Sequence, residues 1–194
     1  MVIEMAGAKK KIRQQLLEEQ INAKPFLTDE ELARLLQVSI QTVRLDRMEL
    51  GIPELRERVR KMAEQAQTKV KALSSDDVVG ELIDLELGKS GISLLRITDD
   101  MVMEKTKVAR GHYMYAQAST LALALIDAPL ALTGVANIKY KIPVHAGDKL
   151  IAKAEIVKER GNKFFVWVKT RNGSEEVFRA KFIVVSLDDD EGEV

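Results

Sequence analysis

The sequence predicts an α+β chain in two parts: an all-α start, then a larger part in which one buried helix is wrapped by an antiparallel sheet. Three observations predict it. Apolar residues recur at helical spacing from Ile12 to Leu73. From Asp76 the period changes to the alternation of half-buried strands. Between early and late strands lies "ARGHYMYAQASTLALALID", apolar nearly all round and rich in small residues, as a buried helix is.

The elements follow in order. "AKKKIRQQLLEEQINA" places Ile12, Leu16 and Ile21 on an otherwise charged helix, and Pro25 ends it. Thr28 or Asp29 caps the next helix, "DEELARLL", with Glu31 completing a Thr-x-x-Glu capping box. Ser39 caps a third helix through Leu50, and Gly51 stops it. The pair reads as a helix-turn-helix: Ala33 is small enough for close approach, Leu32, Leu36, Val38 and Val43 pack between the helices, and Gln37 stands where glycine is common. A fourth helix, "IPELRERVRKMAEQAQTKVKALSS", begins near Pro53. Its Leu55, Val59, Met62, Ala66, Val70 and Leu73 form a narrow seam at spacings of three and four, for a partner helix, a neighbouring domain or ordinary core contact.

In the second part "ELIDLELG" and "ANIKYKI" alternate as strands do. "IAKAEIVKERGNKFFVWVKTRNGSEEVFRAKFIVVSL" reads as three long strands joined at "GN" and "NG". The expected division is therefore a helix-turn-helix domain over 1–52, an amphipathic linker helix over 53–75, an α+β domain over 76–188 and an acidic tail over 189–194.

The chain has 194 residues and no net formal charge, but Asp188, Asp189, Asp190, Glu191 and Glu193 crowd its end. The remainder holds 30 basic against 25 acidic residues, so a nucleic-acid partner is compatible with the charge, and the tail reads as a solvated end. Without cysteine there is no disulfide scaffold, thiolate zinc site or cysteine nucleophile. "MVIEMAGAKKKIRQQ" lacks the apolar core of a secretory signal, and no run approaches the roughly 18 apolar residues of a spanning helix. A cytoplasmic protein without a membrane partner is expected.

Two places carry candidate chemistry. With Val43 pointing inward, about 100° per residue turns Gln41, Arg44, Leu45 and Met48 outward on the third helix. Gln pairs bidentately with adenine, Arg with guanine or phosphate, and an apolar side chain with thymine methyls. Ser39 and Thr42 lie at the helix start, where hydroxyls and backbone N–H groups bind phosphate. Lys9, Lys10 and Arg13 of the basic arm, with Arg47 and Arg56, add phosphate-binding charge. The competing reading is a plain helical hairpin with a solvated face, and Arg58 and Arg60 singly read as solvated.

The other place is Arg110 and Gly111, where the apolar helix begins. An Arg there needs an anion or an acid partner, the helix N-terminus favours negative charge, and glycine lets a ligand approach the backbone. A small carboxylate or thioester fits; the alternative is a salt bridge to Glu104 or Asp100. Gln117 and Ser119 are polar on this apolar helix and bond either backbone or ligand. His112 and His145 are the only histidines, and no Asp or Glu lies between His112 and Ile126, so no catalytic residue is predicted. No metal-ligand cluster and no glycine-rich phosphate loop is present.

The α+β part, with its central helix and "PVHAGDKL" before the long strands, resembles the hot-dog fold of acyl-CoA thioesterases and acyl-carrier-protein dehydratases. Joined to "QVSIQTVRLDR", "IPELR" and "ARGH…AQA" in that order, the chain from Lys9 to Val185 resembles the FapR family, malonyl-CoA-responsive transcriptional repressors of fatty acid and phospholipid biosynthesis. The resemblance implies a homodimer that binds an inverted-repeat operator and is released by malonyl-CoA, with no cofactor and no enzyme activity. It implies that Arg110 pairs with the malonyl carboxylate and that the Gly111 N–H meets the thioester carbonyl. Met103 matches a bulky apolar position near the acyl end, and Ser119 stands where the family usually carries asparagine. The alternatives are a hot-dog thioesterase or dehydratase-like enzyme with an accessory helical domain, and an acyl-CoA sensor whose helical arm binds protein.

Overall fold

A computed structural model describes residues 2–187, so the acidic tail expected at 189–194 lies outside the described residues. The chain forms two compact units, Met1–Met62 and Ala63–Val194.

The first unit holds α1 (Val2–Ala23), α2 (Asp29–Leu36) and α3 (Ile40–Glu49). Their shared core is Leu17 and Ile21 of α1, Leu32 and Ala33 of α2, and Val43 of α3, with Leu36 and Val38 packed against it. Thr28 caps α2: its hydroxyl accepts from the Glu31 N–H (3.2 Å), while the Thr28 N–H donates to the Glu31 carboxylate (2.8 Å). The turn to α3 requires a left-handed residue, and Gln37 takes that conformation (φ 54°), the position where glycine is usual. Ser39 caps α3 through the Thr42 N–H (3.1 Å), and Gly51 (φ 67°) follows its end.

The helix expected over 53–75 is observed as α4, Leu55–Gln67, and the division between the units falls inside it. Val70, Ala72 and Leu73 leave the seam and pack on the core of the second unit. At the point of departure the Thr68 hydroxyl donates to the Gln65 carbonyl (2.9 Å), a local bond that competes with the next helical turn.

The second unit is one six-stranded antiparallel sheet of β1 (Glu81–Glu86), β2 (Ser90–Arg96), β3 (Leu130–Tyr140), β4 (Lys149–Arg160), β5 (Lys163–Asn172) and β6 (Glu175–Leu187), in the order β1-β2-β4-β5-β6-β3. The helix α5 (Gly111–Ala124) lies along its inner face, with Ala118, Leu121 and Ala122 fully buried against Val166, Phe178 and Val184. This is the hot-dog fold, a sheet wrapped round one helix. Small residues make the close packing possible: a Cβ on Gly91 of β2 would stand 3.0 Å from the Leu125 side chain. Strand β2 has no counterpart in the strands predicted from sequence, because "SGISLLR" carries leucines on both faces and so lacks clean alternation. Strand β3 is one of the two sheet edges, the other being β1; it is paired only with β6 and exposes Leu132, Val135, Ile138 and Tyr140.

Candidate functional site

Two candidate surfaces were predicted, one in each unit. On α3, Gln41, Arg44, Leu45 and Met48 are all exposed, and two of them are large and apolar: Leu45 is 61% and Met48 74% accessible. Ser39 and Thr42 stand at the helix start with their hydroxyls 2.9 Å apart. Lys9 and Arg56 are exposed. The rest of the basic set is arranged differently from the expectation. The guanidinium of Arg13 meets the buried Asp46 carboxylate at 2.6 Å, and Lys10 meets Glu49 at 2.7 Å, so both side chains hold α1 against α3.

Arg47, expected on the nucleic-acid face, is buried. It donates to both carboxylate oxygens of Asp29 (2.8 and 2.9 Å) and to the Ile52 carbonyl (3.1 Å). Its place follows from the helix: four residues beyond Val43 it returns to the inner face. Burial pushes the Asp29 carboxyl up, but the hydrogen bonds from Arg47 and Arg44 outweigh it and hold the group below its ordinary value. Arg58, read as solvated from the sequence, is also buried, donating to the carbonyls of Pro25, Leu27 and Pro53. Burial and the nearby Arg47 charge lower its pKa. The exposed face of α3 consists of Gln41, Arg44, Leu45 and Met48, flanked by Ser39 and Thr42.

In the second unit the loop before α5 doubles back, with Val102 bridged to Ala109 and the Met103 N–H on the Val108 carbonyl (2.8 Å). That fold puts Met103, 41% exposed, and Arg110 in one loop. Arg110 is the N-cap residue of α5, is exposed, and donates to the backbone carbonyl of Asp100 (2.7 Å). Among the described residues it forms no salt bridge with a carboxylate, though its charge is one of the causes that hold the Asp100 carboxyl below its ordinary value. Gly111 opens the helix and lines a groove of about 340 Å³ with Val108, Met114, Tyr140, Ile142 and Val144; Arg110, Met103 and Ser119 are outside its lining. Ser119, half-buried, faces Thr133 of β3 at 3.5 Å. Gln117 is fully buried and donates to Ser93 and to the Leu150 carbonyl (each 3.2 Å), bonding backbone as one of its two readings required.

Tyr140 was not singled out from the sequence. Its hydroxyl donates to the Gly111 carbonyl (2.9 Å) from the end of β3. The one available signal was its place as the last aromatic of "ANIKY", where an edge strand reaches the helix start. Among the described residues neither imidazole meets a carboxylate: the His112 ring lies against Tyr113, and His145 Nδ1 is 3.1 Å from the Lys107 carbonyl, while the His145 backbone N–H donates to the Asp148 carboxylate (2.8 Å). Among the described residues no group of three or more His, Asp or Glu could hold a metal. Among the described residues no helix is long and apolar enough to cross a membrane.

A helix-turn-helix with an exposed recognition face, followed in the same chain by a hot-dog unit, defines a transcription factor of two-unit build. The chain is 62% identical over 178 residues to the transcription factor FapR of Caldanaerobacter subterraneus subsp. tengcongensis, covering 92% of this chain and 89% of that protein. It is 49% identical over 177 residues to the transcription factor FapR of Bacillus subtilis, covering 89% and 94%. The chain belongs to the FapR family of transcription factors. No protein-family model matches it. Among solved structures, the second unit resembles an uncharacterized protein from Pyrococcus horikoshii (TM-score 0.55, 29% identity, 58% of this chain and 85% of that one). A sigma28-regulated virulence protein from Campylobacter jejuni shares the fold (TM-score 0.61, 20% identity, 66% and 92%).

Proposed function

We propose that the chain is a repressor of fatty acid and phospholipid biosynthesis genes that binds an inverted-repeat operator as a homodimer and leaves it when malonyl-CoA binds the hot-dog unit. Arg110 carries this reading. A guanidinium at the start of a buried helix, bonded to one backbone carbonyl and to no carboxylate, has donors left for an anion. The helix N-terminus reinforces the preference, and the exposed first turn beside it suits a short acyl group that ends in a carboxylate. The Gly111 N–H then meets the thioester carbonyl, while Ser119 and Met103 flank the acyl end.

Homodimerisation is supported by the uncovered apolar edge of β3, since sheet edges of this kind are normally paired or blocked. Two copies of α3 then address two half-sites. Binding is favoured over turnover because, among the described residues, neither imidazole has a carboxylate to orient it, and a histidine-based acid–base hydrolase needs such a pair.

Calorimetric titration with malonyl-CoA and acetyl-CoA, on the wild type and on Arg110→Ala, tests the reading. Selective, Arg110-dependent binding of malonyl-CoA is expected. Equal affinity for the two thioesters, or thiol release that His112→Ala abolishes, would overturn it.

A further inference from the structure

We infer that Tyr140 is the specificity-determining wall of the effector site, and that position 111 is glycine because Tyr140 stands over it. The inference rests on the malonyl-CoA reading above. Gly111 does not have a left-handed φ, so backbone freedom does not demand glycine there. Space does. A Cβ on residue 111 would meet Tyr140 Cζ and the hydroxyl oxygen at 2.9 Å and Cε1 at 3.0 Å, closer than real Cβ contacts run.

The ring cannot swing aside to relieve this. Its hydroxyl donates to the Gly111 carbonyl at 2.9 Å, and its other side packs on the fully buried Phe178, with ring centroids 5.0 Å apart. Tyr140 and Phe178 are also register partners across β3 and β6, so backbone and side chain fix the ring together. Yet Tyr140 is 46% exposed, which leaves part of the ring for a ligand. It lines the groove at Gly111 with the apolar Val108, Met114, Ile142 and Val144, and with Lys141, whose ammonium pairs with Glu176 (2.6 Å).

An acyl thioester seated on the Gly111 N–H therefore finds an aromatic wall at the helix start. A short acyl group that turns its carboxylate to Arg110 fits beneath that wall, and an extended alkyl chain runs into it. Discrimination by pocket length is worth about tenfold or more per methylene. The hydroxyl also acts on the backbone, because by bonding the Gly111 carbonyl it fixes the Gly111–His112 peptide, the one next to the N–H that receives the ligand.

The test is calorimetric titration of malonyl-CoA and butyryl-CoA into the wild type, Tyr140→Phe, Tyr140→Ala, Gly111→Ala and the Gly111→Ala/Tyr140→Ala double variant, with operator binding in the absence of thioester as the check on folding. Tyr140→Phe keeps the wall and loses one hydrogen bond, so malonyl-CoA should bind about two- to tenfold more weakly with butyryl-CoA still excluded. Tyr140→Ala should shift the preference toward butyryl-CoA by about tenfold or more. Gly111→Ala should abolish malonyl-CoA binding, and the double variant should recover part of it, because the clash has been removed. Additive losses in that cycle, or an unchanged acyl preference in Tyr140→Ala, would overturn the inference while leaving the effector reading intact. A wild type that ignores malonyl-CoA would overturn both. Should Tyr140→Ala fail to bind operator, Tyr140→Leu, which removes the aromatic wall and keeps an apolar side chain, decides: an unchanged acyl preference there overturns the inference.

Discussion

Two arginines three residues apart on α3 have opposite roles. Arg44 keeps 59% of its side chain in solvent and touches Asp29 only at 3.5 Å, a contact worth little to stability. Arg47 is buried on the same carboxylate. Arg47→Ala is expected to destabilise the first unit by about 2–3 kcal/mol, since it strands a partly buried acid, read as a lower thermal midpoint. Arg44→Ala should leave that midpoint alone and weaken operator binding, lowering the slope of log affinity against log salt by about one. The distinction was legible in the sequence: with Val43 inward, Arg47 falls on the same face. Arg58 was legible in the same way, since it shares a face with Leu55 and Met62, but its acceptors are three backbone carbonyls that no side-chain pattern reveals. A second residue-scale prediction concerns acid. The hydrogen bonds of Arg179, then of Lys141, hold the Glu176 carboxyl down at about 2, below the ordinary 4.5. A depressed carboxyl stabilises fully above 4.5 and loses that contribution as pH falls toward 2. Glu176→Gln should therefore flatten the acid-unfolding curve of the second unit between those pH values, by circular dichroism.

At the scale of elements, the helices with capping residues were the most legible. Thr28, Glu31, Ser39 and Gly51 fix boundaries through their own hydrogen bonds or conformation, which the local sequence contains. The end of α4 was not, because Val70 and Leu73 continue the seam on paper while a neighbouring core takes them away. Tertiary burial outweighs helix propensity there. The hairpin signals at Gly161–Asn162 and Asn172–Gly173 fixed the long strands, and both glycines take the left-handed φ of 58° that those turns require. The edge strand β3 carries the element-scale prediction. Val135, 54% exposed, and Ile138, 39% exposed, are apolar positions on an edge that has no second neighbour among the described strands. Val135→Lys with Ile138→Lys should convert the proposed dimer to monomer in sedimentation velocity while β3 stays paired with β6, because charge blunts edge pairing without touching the inner ladder. A variant that still sediments as a dimer would place the interface elsewhere.

At the scale of the whole molecule, the proposed function puts operator and effector on one chain, and any coupling between them is reciprocal. If malonyl-CoA weakens operator binding, bound operator must weaken malonyl-CoA by the same factor, about 5- to 150-fold for couplings of 1–3 kcal/mol. Equal malonyl-CoA affinity with and without duplex would rule the coupling out. What the sequence left illegible at this scale is how β3 reaches the site: pairing with β6 skips two intervening strands, and no periodicity within "ANIKYKI" encodes it. That pairing also has a history in time. The helical unit is built from contacts between neighbours in the chain, the kind that form in microseconds to milliseconds, whereas sheets closed by distant partners are slower. Tyr140 can take its place over Gly111 only after β6, the last strand to be synthesised, has arrived beside β3. In the nascent protein the helical unit is therefore complete well before the sheet has closed round α5.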